Sequence, residues 1–308
     1  MKVNRGLVSV IMAAYRESPT ILEQAMRSIL DQTYSNLEFI IILDDPDNIE
    51  LDTLITRYSF SDDRIRYERN SRNIGLAQSL NIGISLARGE YICRMDADDI
   101  SDPDRITSQL QYISDEHLDL IGGFTEVINE HGELLYVVDS IPIHSSSVAK
   151  GLQYNNCVPH PTWFGKKETF EMGYRSIPLC EDFDFLIRSS LQGKLIGNCP
   201  KIVLKYRMSS NSLSRGNLYK QFLYQQALTH SYRNGVALAV EDAEIYVDNH
   251  YSSNKAEKYA MANKEFNLGL SCVRRKMLFH AARHFIRIPV LSRGYLSKIY
   301  RLIRVAFL

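Results

Sequence analysis

The chain lacks any cysteine pattern: its five cysteines (Cys93, Cys157, Cys180, Cys199, Cys272) are odd in number and scattered, with no CxxC pair. That excludes a zinc-ribbon site and a disulfide framework and points to a reducing compartment. No run reaches the ~18–20 apolar residues that a membrane-spanning helix needs, and Met1–Gly6 has no signal-peptide core before the first strand-like segment. Net charge is missing too. With 36 basic and 36 acidic side chains, the chain is no generic nucleic-acid binder. After the first strand there is no GxGxxG, which argues against a dinucleotide dehydrogenase. The same segment, Ala13–Thr20, holds one arginine and no glycine, a poor grip for a triphosphate and hence against a nucleotidyltransferase. Internal repeats and low-complexity linkers are absent as well.

What is present is a packed α/β chain of 308 residues, 45% of them hydrophobic. Strands are predicted at Leu7–Ala13, Leu37–Leu43, Arg64–Glu68 and Tyr91–Met95, with helices at Thr20–Leu30, Ile49–Tyr58 and Leu76–Ala87 between them. Gly89 is read as the stop of the third helix. The second strand is too continuously apolar to have a wet face, as in a parallel sheet with helices on both sides. Asp102-Pro103 reads as N-cap and first position of a helix with the stripe Ile106, Leu110 and Ile113. Strands near Asp119–Ile128, Leu134–Val138 and Lys201–Tyr206 and helices at Ser145–Tyr154 and Asp182–Leu191 follow. From Ser214 the pattern is helical only. The predicted division is a mixed α/β unit over 1–212, with halves near 1–100 and 101–212, and a helical basic region over 213–308.

Three carboxylates cluster in Arg94-Met95-Asp96-Ala97-Asp98-Asp99, where a strand leaves the sheet. Like charges so close repel, and a divalent cation, Mn²⁺ or Mg²⁺, makes them tolerable. The alternative is a solvated turn. Ligands of such sheets bind at the carboxyl ends of the strands. Ala13 and Tyr15 lie at one such end and Asp44-Asp45 at the next. The Tyr15 ring can pack against a nucleobase and the Asp45 carboxylate can accept its N–H; a surface tyrosine and a turn former before Pro46 are the plainer readings.

The chain resembles the family 2 glycosyltransferases, inverting enzymes of the GT-A fold. The resemblance rests on Val8–Tyr15, Ser28–Tyr34, Asn73–Ala77, Ala87–Ile92, Met95–Ile100, His160–Thr162, Gly173–Arg175, Glu181–Asp184 and Tyr206-Arg207, in the family's order across residues 7–214. Its closest flavour is the bacterial enzymes of capsule, exopolysaccharide and O-antigen assembly. The resemblance implies a Rossmann-like, nucleotide-sugar-binding mixed sheet flanked by helices. It implies that Ala13, Tyr15 and Asp45 hold the base, that Asn73 lies near the donor, and that Asp96 contacts ribose or sugar. Asp98 would bind the metal between the phosphates, and Asp182 would be the general base, or else a first-turn acid of its helix. Glu181 and His160 are candidate acceptor contacts, the histidine equally a core residue; Arg207 is a candidate diphosphate contact or a packing residue. Two departures stand out. Asp44-Asp45-Pro46-Asp47 replaces Asp-Asp-Gly-Ser, and Ser209 stands where many members have a histidine.

The implied donor is a nucleotide-sugar, UDP-linked by default, and the acceptor a saccharide or lipid-linked saccharide. A catalytically silent carbohydrate-binding or scaffold subunit is the non-enzyme alternative. From Tyr259 onward ten Lys/Arg face one acid, Glu265. After a break at Pro289 and Gly294, Lys298, Arg301 and Arg304 fall on one side of a helix. They suit an anionic membrane, or point to water while the helix docks on the domain. The expected location is the cytoplasm, with peripheral contact on the inner membrane.

Overall fold

A computed structural model describes residues 6–208 and 216–308. Nine strands form one mixed sheet. Its first half is parallel: β1 (Val8–Ala14) lies between β2 (Leu37–Leu43) and β4 (Tyr91–Asp96), and β3 (Ile65–Arg69) borders β2. The register sets Ala13 beside Ile42 on one side and beside Asp96 on the other. The carboxyl ends of β1, β2 and β4 therefore open at one crevice. Helices α1 (Pro19–Leu30), α2 (Ile49–Ser61) and α3 (Leu76–Leu86) connect them. Every residue of β2 is buried, as its apolar run requires; its one acid, Glu38, accepts from Ser9 Oγ at 2.6 Å and from Arg88 Nε at 2.8 Å.

Gly89 does not cap α3, which ends at Leu86 with Ala87 as cap. Its need is space. A Cβ there would lie 2.5 Å from the Leu7 carbonyl oxygen and 2.7 Å from the Ser9 amide nitrogen.

The second half of the sheet is mixed. β8 (Phe164–Lys166) is antiparallel to both β4 and β6 (Leu120–Ile128), β9 (Ile196–Arg207) runs parallel to β6, and β5 (Ile100–Ser101) pairs with β9. β7 (Leu134–Val138) pairs with β6 alone. Helix α4 (Arg105–Asp115) starts later than Asp102-Pro103 suggested: its N-cap is Asp104. Gln32 Oε1 reaches from α1's end to take the Ile106 amide at 3.1 Å, while Asp102 Oδ1 accepts the Asp104 amide in the preceding turn. Ile106, Leu110 and Ile113 are buried as their spacing predicts. Helices α5 (Ser145–Gly151), α6 (Lys167–Phe170) and α7 (Glu181–Leu191) complete this half.

Five helices end the chain: α8 (Leu218–Arg233), α9 (Val240–His250), α10 (Ser253–Arg274), α11 (Leu278–Leu291) and α12 (Arg293–Ala306). The expected boundary near 212 lies outside the described residues. Phe222, Leu223, Leu228, Tyr259 and Tyr295 from these helices belong to one hydrophobic cluster with Trp163, Phe185 and Leu186. The break between the last two helices falls at Ser292, whose side chain caps α12 by accepting the Tyr295 amide. Pro289 stays inside α11, near its C-terminal end.

Candidate active site

The acids of the β4 end are gathered by two arginines. Arg94 is buried on β4, and its Nη1 donates to Asp96 Oδ2 at 2.7 Å while Nη2 donates to Oδ1. A second buried arginine, Arg105, holds this strand end from α4 through the carbonyls of Arg94 (2.7 Å) and Pro161 (3.0 Å). Asp96, Asp98 and Asp99 each bring a carboxylate oxygen within 4.8 Å of the others. Asp99 is fully buried; one oxygen takes the Arg207 amide at 2.8 Å and the other has no partner. Burial, then the Asp96 and Glu17 charges, push the Asp98 carboxyl up to about 7. Asp99 is held far above the ordinary range by burial, then by Asp96 and Asp98. A buried, unpartnered oxygen amid mutually repelling acids is a donor set that fits a hard divalent cation.

Arg207 does not offer its guanidinium to this space. Nε donates to the Asp98 carbonyl at 2.8 Å, Nη1 to the Glu130 carbonyl at 3.1 Å and Nη2 to Gln24 at 3.0 Å. It packs, and by packing fixes the Asp98-Asp99 turn. The Ser209 position lies outside the described residues.

On the other side of the crevice stand Tyr15, Arg16 and Asp45. Arg16 stacks over the Tyr15 ring at 4.7 Å and pairs with Asp45 at 3.1 Å. An open hollow of about 510 Å³ is lined by Arg16, Asp45, Asp47 and Asn48 among others. Asp44, unlike its neighbour, is structural. Its carboxylate takes Asn70 Nδ2 at 2.7 Å and the amides of Ile74 (2.9 Å) and Gly75 (2.8 Å). Gly75 has φ of 86°, a region that favours glycine. Asn73 is exposed and its Oδ1 accepts the same Gly75 amide at 3.1 Å. Asp44 thus ties the segment 70–75 to the end of β2.

Glu181 and Asp182 begin α7, where a helix N-terminus favours carboxylates. Asp182 Oδ1 accepts the Phe183 amide and Oδ2 accepts Asn156 Nδ2, both at 2.7 Å. Each oxygen keeps a lone pair for a further donor. Burial raises the Asp182 carboxyl; the Phe183 amide and then the Arg94 charge pull it back. Glu181 is pushed up to about 7, by burial and then by Asp182, with Asp96 adding to the rise and Arg94 opposing it. Arg94 and Asp96 therefore lie within electrostatic reach of the α7 acids, across some 85 residues of sequence.

His160 is buried in an aromatic nest: Nε2 is 2.8 Å from Tyr174 Oη, and its ring meets Trp163 edge-on at 4.5 Å between centroids. Burial, then Arg94, holds its imidazole neutral. The core reading of this histidine therefore prevails in its surroundings. Sequence reasoning missed Glu17, Asn156, the partnerless oxygen of Asp99 and the linking part played by Arg94. Glu17 was visible as an acid three residues past the β1 end, and burial raises its carboxyl with Asp96 contributing.

The profile of "Glycosyl transferase family 2" matches residues 9–191, more than half of the chain. The chain belongs to glycosyl transferase family 2. Among its relatives in the family are an uncharacterised glycosyltransferase of Methanocaldococcus jannaschii, 31% identical over 74% of this chain and 81% of that protein, and the O-antigen biosynthesis glycosyltransferase WbnJ of Escherichia coli, 31% identical over 69% and 84%. The amylovoran biosynthesis glycosyltransferase AmsE of Erwinia amylovora is 26% identical over 68% of this chain and 79% of its own length. In fold, the chain is similar to residues 1–349 of S. aureus TarS in complex with UDP, with a TM-score of 0.59 at 14% identity over 97% of this chain and 88% of that one. The sheet and its flanking helices are thus GT-A-like, as the family resemblance implied.

The C-terminal helices qualify one expectation. Lys298 and Arg301 are half-buried against aromatic rings and only Arg304 of the three is exposed. Arg301 lies over the Phe222 ring at 5.7 Å, Arg304 over Tyr154 at 4.9 Å and Lys298 over Tyr295 at 5.5 Å. Burial lowers Lys298 and Arg301 accordingly. The outward stripe of α12 is apolar: Leu296, Tyr300, Ile303 and Phe307. Aromatic faces attract cations, so a basic stripe can be the docking side of a helix.

Proposed function

We propose that this family 2 enzyme is an inverting glycosyltransferase that moves a sugar from a nucleoside-diphosphate sugar, UDP-linked by default, to a saccharide or lipid-linked saccharide in cell-surface polysaccharide synthesis. One observation carries the reading: acids at the β4 end and at the start of α7 share the field of the same buried arginine, Arg94. Ala13, Tyr15, Asp45 and Asn73 line the nucleotide side and Asp96 faces ribose or sugar. Mn²⁺ or Mg²⁺ would be held by Asp98, with Asp99 and Asp96 beside it, and supplies charge that offsets the diphosphate. Asp182 takes the proton of the acceptor hydroxyl as that oxygen attacks the anomeric carbon from the face opposite the diphosphate, and a single displacement inverts the centre. Asn156 and the Phe183 amide orient that carboxylate.

The polysaccharide class is supported by relatives named for O-antigen and amylovoran biosynthesis, and the donor class by TarS complexes with UDP and UDP-GlcNAc. A lipid-linked acceptor brings the enzyme to an anionic membrane. The proposed contact is peripheral, on the cytoplasmic face; no described helix is long and apolar enough to cross a membrane. The test is a melting screen of UDP-, GDP- and dTDP-sugars with and without Mn²⁺. A donor raises Tm only with the metal present, because ligand bound to the native state stabilises it. Equal Tm for all nucleotide-sugars, with and without metal, overturns the reading.

A further inference from the structure

We propose that the turn joining α10 to α11, Arg274–Phe279, is the docking tip for an anionic lipid surface, continued by the outer face of β7. Arg274, Arg275 and Lys276 are all exposed, and Met277, Leu278 and Phe279 follow at 41%, 69% and 83% exposure. Three cations beside three exposed apolar side chains suit lipid phosphates above and an acyl boundary below. No acid occurs after Glu265, and that carboxylate is already bonded to His284 at 2.6 Å and Arg287 at 3.2 Å. Nothing in this stretch therefore offsets the charge of the tip.

The second patch is β7. Its Leu134, Leu135, Tyr136 and Val137 are exposed although they alternate across a strand, so neither face is covered. The Arg274 guanidinium lies 5.5 Å from the Tyr136 ring, which makes the two patches continuous. The turn between β6 and β7 is bonded by Arg207 to the Asp98-Asp99 loop, so this surface adjoins the mouth of the cleft. A second copy of the chain is a poorer occupant. A two-fold contact centred on the tip would set Arg274, Arg275 and Lys276 against their own counterparts. The tip is not the surface expected from sequence, on α12, where Lys298 and Arg301 are half-buried. The inference rests on the membrane contact proposed above and names the surface that makes it.

Flotation of the full chain with phosphatidylcholine vesicles, with and without phosphatidylglycerol, tests this. The wild type is expected to float only with the anionic vesicles. Replacing Arg274, Arg275 and Lys276 together by Gln weakens binding on the order of 100-fold, and Leu278→Ser/Phe279→Ser abolishes flotation. Both variants keep the wild-type Tm and metal-dependent hydrolysis of the donor in solution, which separates failure of the tip from failure of the transferase reading. The proposal is overturned if wild type floats with neither vesicle or equally with both, if either variant floats like wild type, or if sedimentation shows a dimer that the Ser variant dissociates.

Discussion

Asp98→Asn is expected to make the metal-free chain more stable, although it removes a residue assigned to the metal site. The Asp98 carboxyl is displaced from 3.8 to about 7 by burial and by the Asp96 and Glu17 charges. At about 1.4 kcal/mol for each pH unit, that crowding is worth on the order of 4 kcal/mol once the group ionises. The sign follows from proton binding. Between about pH 4 and pH 7 the folded chain holds a proton there that the unfolded chain has lost, so stability falls as pH rises through that window. Asparagine has no charge to lose. Near pH 8 the variant gains up to about 4 kcal/mol, or a Tm higher by up to about 8 °C at roughly 2 °C per kcal/mol for a chain of this size. Near pH 5, about one unit above the unfolded value, the difference shrinks to about 1.5 kcal/mol, and it vanishes only below about pH 4. Mn²⁺ should raise the wild-type Tm near pH 8 and leave the variant almost unmoved. Differential scanning fluorimetry at both pH values, with and without Mn²⁺, reads all four numbers. A variant less stable than wild type near pH 8, or one that responds fully to Mn²⁺, would refute the reasoning.

Two further expectations concern chemistry and fold. Because burial raises Asp182, transfer should fall away as pH drops through a point above the ordinary carboxylate range; a pH profile flat down to about pH 4 would assign the proton to another group. Gly89→Ala should cost about 2 kcal/mol or more by wedging a Cβ against Leu7 and Ser9 at the start of β1, read as a lower urea midpoint; an unchanged midpoint would mean that β1 shifts freely.

The central parallel strands β1, β2 and β4 were legible because they are buried on both faces and read as largely apolar runs, β2 to the residue. β5, β8 and α6 were not: two to four residues carry no period. β9 was expected from Lys201, but it starts at Ile196, through Asn198 and Pro200. The buried Asn198 Nδ2 donates to the carbonyls of Pro142 at 2.6 Å and Cys157 at 3.0 Å, partners that sequence cannot supply, while its Oδ1 has no partner. In the site, neighbours in sequence such as Asp96, Asp98 and Asp99 could be read as a cluster. Groups that meet only through folding could not, as with Glu17 beside Asp98 or Gln32 at the start of α4. The half-burial of Lys298 and Arg301 on α12 was hidden for the same reason. Periodicity assigns Lys298, Arg301 and Arg304 to one side, but Tyr154 and Phe222, which receive two of them, come from elsewhere in the chain.

The division of labour between the two acid groups is tested most directly by Asp182→Asn, measured for UDP affinity with Mn²⁺ by calorimetry and for sugar transfer in the same preparation. Affinity should stay within about threefold of wild type while transfer falls by about 10²–10⁴-fold. Undiminished transfer, or lost UDP binding, would contradict the assignment of the proton acceptor to the first turn of α7.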